Sequence, residues 1–129
     1  MRRLAVGIGC RRGVSVGELE HLVRDTLAAH ALDCAAVALL CSIDTKATEP
    51  AVAALALRLD VPARYYPAAR LERETPRLAT PSATVFRATG CHGVAEAAAL
   101  VAAGPTGGLV VPKQASRRAT CAVAEFGAP

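Results

Sequence analysis

A glycine-rich turn near the start of the chain carries the residues of an anion-binding site. Residues 7–13 read GIGCRRG, so Arg11 and Arg12 stand among glycines shortly after the apolar run at 4–6. Ser15 and Glu18 form the pattern of a capping box, which opens a helix. Backbone amides at such a turn favour anions, and arginines pair with carboxylates through two parallel hydrogen bonds. The alternative is a tight turn whose arginines face solvent, since the spacing matches neither the dinucleotide fingerprint nor a P-loop.

A polar loop at residues 44–50 holds the second group of candidates. Asp44 and Glu49 are the paired carboxylates best placed to act as base and acid in the opening of a lactone. In structural roles, Asp44 would turn the chain and Glu49 would favour a helix N terminus, which is the preferred interpretation of Glu49. Lys46 would contact an anionic ligand or, alternatively, pair loosely with one of these carboxylates at the surface.

Two cysteines occupy glycine-containing turns. Cys10 lies in the first turn and Cys91 in a second turn at residues 89–93. A helix N terminus and a nearby arginine lower the pKa of a thiol, which makes both cysteines candidate reactive groups. A small buried residue is the preferred interpretation, because no base accompanies them. The adjacent Cys91 and His92 lack the spacing of metal ligands, so we predict no metal and no cofactor.

Further polar residues complete the candidate set. Gly90 and His92 belong to the second turn, where His92 would either touch a ligand or be solvated. Glu96 lies in the first turn of an alanine-rich helix and would act as a dipole partner or cap, or hold an arginine in place. Lys113 and Gln114 follow the apolar run at 109–111. If that run is parallel to the first strand, these residues share one edge of the sheet with the arginines.

Strands and helices alternate in an order that would bring these turns together. Apolar runs predict strands at 4–6, in the second half of 35–43, and at 63–66, 109–111 and 119–124. Apolar periodicity and capping predict helices at 16–30, 49–60 and 94–103, with short helical turns at 68–72 and 82–87. Two successive alternations of strand and helix indicate a parallel sheet covered on both faces. The short link before the last strand favours an antiparallel hairpin, so the predicted fold is α/β with a mostly parallel, partly mixed sheet.

Composition limits the class of protein. The chain of 129 residues is predicted to form one domain, 1–129, and its net charge of +4 suits an acidic small molecule better than a nucleic acid. Aromatic residues make up only 3%, which leaves little to stack on bases. No apolar run reaches the length of a membrane span, and the early arginines are unlike a signal sequence. We therefore expect a cytoplasmic protein with no membrane or nucleic-acid partner.

Several segments, in this order, resemble the CobE and CbiG C-terminal domain family of cobalamin (vitamin B12) biosynthesis. They are GIGCRRG at 7–13, SIDTKATEP at 42–50, TGC at 89–91, VAEAAAL at 94–100 and PKQ at 112–114. The resemblance covers nearly the whole chain and implies a stand-alone form without the N-terminal and middle regions of CbiG-like proteins. It also implies a three-layer α/β/α sandwich, a precorrin ligand and homology to cobalt-precorrin-5A hydrolase.

Three functions are compared on this basis. The leading hypothesis is a protein that binds a precorrin or corrin intermediate, or hands it over to other cobalamin-pathway enzymes. The alternatives are a hydrolase acting on a precorrin lactone and a basic nucleic-acid-binding domain, which the scarce aromatics disfavour. Precorrins carry acetate and propionate groups, so cations and turn amides are the expected contacts. The predicted ligand-binding residues are Gly9, Cys10, Arg11, Arg12, Asp44, Lys46, Gly90, Cys91, His92, Glu96, Lys113 and Gln114. Of these, Gly9, Arg11, Asp44, Lys46, Gly90 and His92 are expected to border one cleft.

Overall fold

Five strands form the central sheet of the computed structural model, which describes residues 2–128. The strands are β1 (Leu4–Cys10), β2 (Val37–Ile43), β3 (Ala63–Tyr66), β4 (Gly108–Ala115) and β5 (Ala119–Glu125). The helices are α1 (Val16–Ala29), α2 (Pro50–Leu59), α3 (Ala68–Glu72), α4 (Ala83–Thr89) and α5 (Val94–Ala103). Short 3₁₀ turns cover Cys34–Ala36, Asp44–Lys46 and Thr75–Arg77. Within residues 2–128, none of the helices is long and apolar enough to cross a membrane.

The strands follow the spatial order β3-β2-β1-β5-β4. β1, β2 and β3 pair in parallel, whereas β5 is antiparallel to both β1 and β4. β4 therefore runs in the same direction as β1, and the carboxyl ends of β1, β2 and β4 lie at one edge of the sheet. This topology confirms the predicted mostly parallel, partly mixed sheet, in which the short link 116–118 allows only an antiparallel return.

Alternate side chains of β1 supply both faces of the sheet, because successive residues of a strand point in opposite directions. Leu4, Val6 and Ile8 pack in a core that also contains buried residues of α1 and α2. Ala5 belongs to a second core with residues of β2, α3 and α5. Helices thus cover both faces, which confirms the three-layer α/β/α sandwich that the family resemblance implied.

Helix α5 lies directly on the backbone of β1. Five of its six alanines are buried almost completely, so little side-chain volume separates the helix from the strand. A Cβ atom added at Gly7 would collide with the carbonyl oxygen of Ala95 and lie 2.9 Å from the amide nitrogen of Ala99. Glycine is therefore required at position 7 by the close approach of the two elements.

Several element boundaries differ from the sequence-based prediction. β1 runs from Leu4 to Cys10, so Gly7, Gly9 and Cys10 lie in the strand, and the predicted glycine turn begins only after it. β4 extends to residue 115 and includes Lys113 and Gln114, which were expected in a loop. The register of β4 against β5 shifts twice, between residues 109 and 114, and such irregularity tolerates Pro112 in an edge strand. α2 begins at Pro50 rather than at Glu49, because proline suits the first helical position.

Candidate functional site

A cleft of about 540 Å³ opens at the edge of the sheet where β1, β2 and β4 end. Gly9 and Cys10 line it from the end of β1, Ile43 from the end of β2, and Thr120 from the start of β5. The carboxyl edge of the parallel strands is where ligands bind in open α/β sheets. The turns that carry Arg11 and Lys46 therefore share one edge, as the sequence predicted.

Five cationic side chains line this cleft. Arg11 follows β1, Lys46 ends the 3₁₀ turn after β2, Lys113 belongs to β4, and Arg117 and Arg118 lie in the link between β4 and β5. Among the described residues, none of the five forms an ion pair with a carboxylate. Several positive charges that line a concave surface produce a strong positive potential there, which attracts anionic ligands.

Another part of the lining is uncharged. Thr84, Val85 and Ala88 of α4 line the cleft, and Val94 and Ala95 line it from the start of α5. Methyl groups of this kind can pack against a flat apolar ring, because their contact with water is lost on binding. The cleft therefore combines cations for acidic groups with a surface for an apolar body.

Glu96 is the one carboxylate in the cleft lining among residues 2–128, and its oxygens are fully engaged. The residue is only 2% exposed. Its Oε1 accepts hydrogen bonds from the amides of Ala79 and Thr80, both at 3.0 Å. Its Oε2 accepts from the Lys113 amide at 2.8 Å and from the Thr80 hydroxyl at 3.0 Å. Glu96 thus binds main-chain amides and a hydroxyl of other segments. It makes neither a capping bond to α5 nor the alternative contact with an arginine.

The two predicted catalytic candidates lie outside the cleft lining. Asp44 is exposed and opens the 3₁₀ turn that follows β2. Glu49 is only 7% exposed, and its Oε1 accepts a hydrogen bond from the Gly13 amide at 3.1 Å. That bond ties the start of α2 to the glycine turn after β1. Glu49 is the N-cap residue of α2, as the preferred interpretation placed it, but its side chain makes no capping bond to the helix.

The two candidate thiols have different surroundings. Cys10 is half-buried in the cleft, and burial raises its pKa above the usual range although the Lys46 ammonium opposes the shift. Cys91 is completely buried and lies outside the lining, with its sulfur 3.5 Å from the hydroxyl of Thr89. Cys10 is therefore not an activated thiol, and Cys91 is a core residue.

The second glycine turn lines the cleft with Thr89 and Gly93, but not with its predicted ligand contacts. Gly90 has a φ of 84°, which favours glycine, and it ends α4. Nδ1 of His92 lies 2.8 Å from a carboxylate oxygen of Glu72, and its ring stacks on Phe86 with 4.4 Å between centroids. Neither Gly90 nor His92 lines the cleft. Their contact with a ligand stays a prediction that this geometry does not favour.

The remaining basic and polar residues near the cleft also divide into those that line it and those that do not. Arg12 and Gln114 lie outside the lining, and the Gln114 side-chain amide donates to the carbonyl oxygens of Pro112 and Lys113. Arg117 and Arg118, in contrast, line the cleft although the sequence-based set omits them. The available signal was their position in a basic link beside the last strand, at the same edge as the glycine turn.

The fold and the site define an α/β/α sandwich protein with a cationic cleft at the carboxyl edge of its sheet. Residues 4–124 match the model of the family described as "Cobalamin synthesis G C-terminus". The chain therefore belongs to that family and is a cobalamin biosynthesis protein, as its motifs predicted.

Individual relatives confirm this assignment. The chain is 46% identical over 121 residues to "Protein CobE" from Sinorhizobium sp, an alignment that covers 94% of this chain and 79% of the relative. It is 35% identical over 121 residues to "Cobalt-precorrin-5A hydrolase" from Priestia megaterium, but spans only 32% of that protein. The crystal structure of CobE, a protein from the cobalamin biosynthetic pathway, superposes with a TM-score of 0.90 at 41% identity, covering 97% of this chain and 91% of the other.

Proposed function

We propose that this chain binds a precorrin or corrin intermediate of cobalamin biosynthesis through the carboxylates on the periphery of its ring. The observation that supports the proposal is one cleft lined by five cations that form no ion pairs among the described residues, with an uncharged, partly apolar surface in another part of the lining. Acetate and propionate groups would pair with Arg11, Lys46 and their neighbours through charge-assisted hydrogen bonds. The volume of about 540 Å³ lies within the range of roughly 300–1,000 Å³ found for small-molecule sites.

Binding without hydrolysis fits the chemistry of the lining better. Hydrolysis of a lactone requires a general base within reach of the attacking water. Glu96 already accepts four hydrogen bonds, while Asp44 and Glu49 lie outside the cleft lining. We therefore propose a carrier that holds the intermediate and passes it to another enzyme of the pathway.

Titration with two corrins tests the proposed binding. Cobyrinic acid carries free acetate and propionate groups, whereas cobinamide presents the corresponding amides on the same ring. We expect cobyrinic acid to bind with a saturable shift of its visible absorbance, and more weakly as salt screens the cations. Cobinamide should bind at least about tenfold more weakly, because it lacks charge-assisted hydrogen bonds. Failure of cobyrinic acid to bind at any salt concentration contradicts the proposal.

Hydrolysis is tested with the compound in the name of the more distant relative. The protein is incubated with cobalt-precorrin-5A, and the corrinoid is analysed by mass spectrometry. A carrier leaves the mass of the compound unchanged while the compound co-elutes with the protein. Conversion of many equivalents per protein molecule would instead establish the hydrolase alternative.

A further inference from the structure

The acidic residues around the cleft bind the main chain of the cationic segments and leave the cationic side chains free. Glu18 in α1 provides the first example. Its Oε2 accepts hydrogen bonds from the Ser116 hydroxyl at 2.5 Å and from the Arg118 amide at 2.7 Å. The link that carries Arg117 and Arg118 is thereby fixed to α1 through one main-chain amide and the Ser116 hydroxyl. Neither guanidinium takes part in these two bonds.

Glu49 and Glu96 follow the same arrangement at the other cationic segments. Glu49 accepts from the Gly13 amide, at the end of the turn that carries Arg11. Glu96 accepts from the amide of Lys113 itself, at 2.8 Å. Each of these carboxylates is almost completely buried, with 7% and 2% exposure. Each therefore has few alternative partners in solvent and holds its segment in one position.

Elsewhere in the described chain, glutamates pair with arginine side chains. Glu20 accepts from Arg24 at 2.9 Å and from Arg58 at 2.7 Å. Glu74 accepts from Arg70 at 2.7 Å and from Arg77 at 2.9 Å. Carboxylates and arginines therefore do meet directly on this protein. Glu18, Glu49 and Glu96, in contrast, accept from main-chain amides and, within the described chain, form no ion pair with an arginine or lysine side chain. Glu72 also accepts from a main-chain amide, that of His92, so this contact is not confined to the cleft.

We propose that Glu18, Glu49 and Glu96 are positioning residues of the cleft, each holding a cation-bearing segment by its main chain so that the cation stays free for an anionic ligand. This inference rests on the proposed function of the cleft. A cation that is already paired must exchange one carboxylate for another when a ligand binds. A cation held only through its backbone keeps its hydrogen-bond donors available, and the fixed segment loses less freedom on binding.

Glu18 gives the sharpest test, because Glu20 on the same helix offers a matched control. Glu18→Ala and Glu20→Ala both remove one negative charge, so long-range attraction alone predicts tighter binding of cobyrinic acid in both variants. Positioning predicts instead that Glu18→Ala binds roughly fivefold to tenfold more weakly, because the link at 116–118 loses its anchor. Glu20→Ala should bind as tightly as the unchanged protein or more tightly.

The conservative variant separates the acceptor from the charge. In Glu18→Gln, the single oxygen of the new side chain can take the place of Oε2. It can still accept the hydrogen bonds from the Ser116 hydroxyl and the Arg118 amide. We therefore expect Glu18→Gln to restore most of the affinity lost in Glu18→Ala. Equal affinities of Glu18→Ala and Glu20→Ala overturn the inference, and so does a Glu18→Gln variant as weak as Glu18→Ala.

Hydrogen exchange tests the anchors without any ligand. In Glu96→Gln, the side-chain oxygen is expected to face the amides of Ala79 and Thr80, which turns its NH₂ group toward the Lys113 amide. Exchange of the Lys113 amide should then accelerate while the other two amides stay protected. In Glu18→Ala, the Arg118 amide should accelerate as well. Unchanged exchange at both amides refutes the positioning role. If both variants show these accelerations but the wild-type protein does not bind cobyrinic acid, only the proposed function is refuted.

Discussion

At the scale of single residues, neighbours in the sequence differ in whether they reach the cleft. Arg11 lines it and Arg12 does not, although both side chains are exposed and both follow β1. Glu49 and Lys46 lie three positions apart, yet only Lys46 lines the cleft. Such pairs provide matched controls. Substitution of one member changes the charge in the cleft lining, and substitution of the other changes the charge close to the cleft but outside the lining.

The adjacent arginines provide the first prediction. Arg11→Ala should weaken the binding of cobyrinic acid about tenfold, the loss expected for a charge-assisted hydrogen bond. Its melting temperature should change little, because the side chain is exposed. Arg12→Ala removes the same charge outside the lining and should have a clearly smaller effect. Isothermal titration of both variants checks this, and equal losses would contradict the assignment of Arg11 to the contact surface.

The position of Cys10 allows a chemical test of where the ligand lies. Bound cobyrinic acid should protect Cys10 from alkylation by iodoacetamide, because the thiol lines the cleft. Cys34 is also partly exposed but lies outside the lining and serves as the internal control. Modification of each cysteine is followed by peptide mass spectrometry with and without ligand. Equal protection of both thiols, or of neither, argues against binding in this cleft.

Residue types and strand ends predicted three of the five cations that line the cleft, but not the hydrogen-bond partners of the carboxylates. Arg11 and Lys46 could be placed at one edge because both follow strands of a parallel sheet. The partners of Glu96 lie 16 or 17 residues away along the chain, and those of Glu18 lie about 100 residues away. Contacts at such separations depend on the assembled fold, so no local pattern near these glutamates reveals them.

At the scale of elements, the contact of α5 with β1 holds the cleft together. Gly7 lets the helix lie on the strand, and Gly9 in the same strand lines the cleft two residues later. The C terminus of α5 is held by Arg77, whose guanidinium donates to the carbonyl oxygens of Leu100 and Gly104. Because α5 also carries Glu96, the position of this helix decides where Thr80 and Lys113 lie.

Glycine substitutions test this contact. Gly7→Ala should lower the free energy of unfolding by about 3 kcal/mol, because the new methyl group meets backbone atoms of α5 that cannot turn away. Gly108→Ala is the control, since a Cβ there has no atom within 4 Å and the position also lies in a strand. Urea denaturation of both variants gives the comparison. A Gly7→Ala protein as stable as Gly108→Ala would show that α5 does not approach β1 so closely.

Most elements were predictable because their signals are local. Apolar periodicity and the Ser15 cap predicted α1. The glycine and proline at 104–105 predicted the end of α5. The length of β4 was not predictable, because its polar second half continues past Pro112 through two shifts in register. These shifts depend on β5 and on the bond from the Lys113 amide to Glu96, which only the tertiary structure supplies.

At the scale of the whole molecule, stability depends on ionised glutamates. Four of them have a pKa lowered from the ordinary value of 4.5, namely Glu18, Glu20, Glu72 and Glu74. At Glu74, burial raises the pKa, but hydrogen bonds from Arg70 and Arg77 outweigh it. A carboxyl group with a lowered pKa stabilises the fold fully above the unfolded value, and this contribution is lost as the pH falls through the folded value.

The pH dependence of unfolding follows from these shifts. These glutamates should leave the melting temperature nearly constant between pH 7 and about pH 5. As the pH drops below 4.5, their protonation should lower the melting temperature. Glu74→Gln should be less stable at neutral pH, because both ion pairs of this residue are lost, and should show a shallower loss in acid. Thermal melts at a series of pH values measure both effects. An identical acid slope in the variant would exclude Glu74 from the transition.

The central claim is that a polycarboxylated corrin binds at the carboxyl edge of the sheet. The most direct measurement is the ¹H–¹⁵N spectrum of the labelled protein, titrated with cobyrinic acid. The account predicts that the amide signals of Gly9, Lys46 and Thr120 shift with saturation, because these residues line the cleft. The signals of Leu22 and Val52, in the core between the sheet and helices α1 and α2, should stay in place. Shifts confined to α1 and α2, or no shifts at all, would contradict the account.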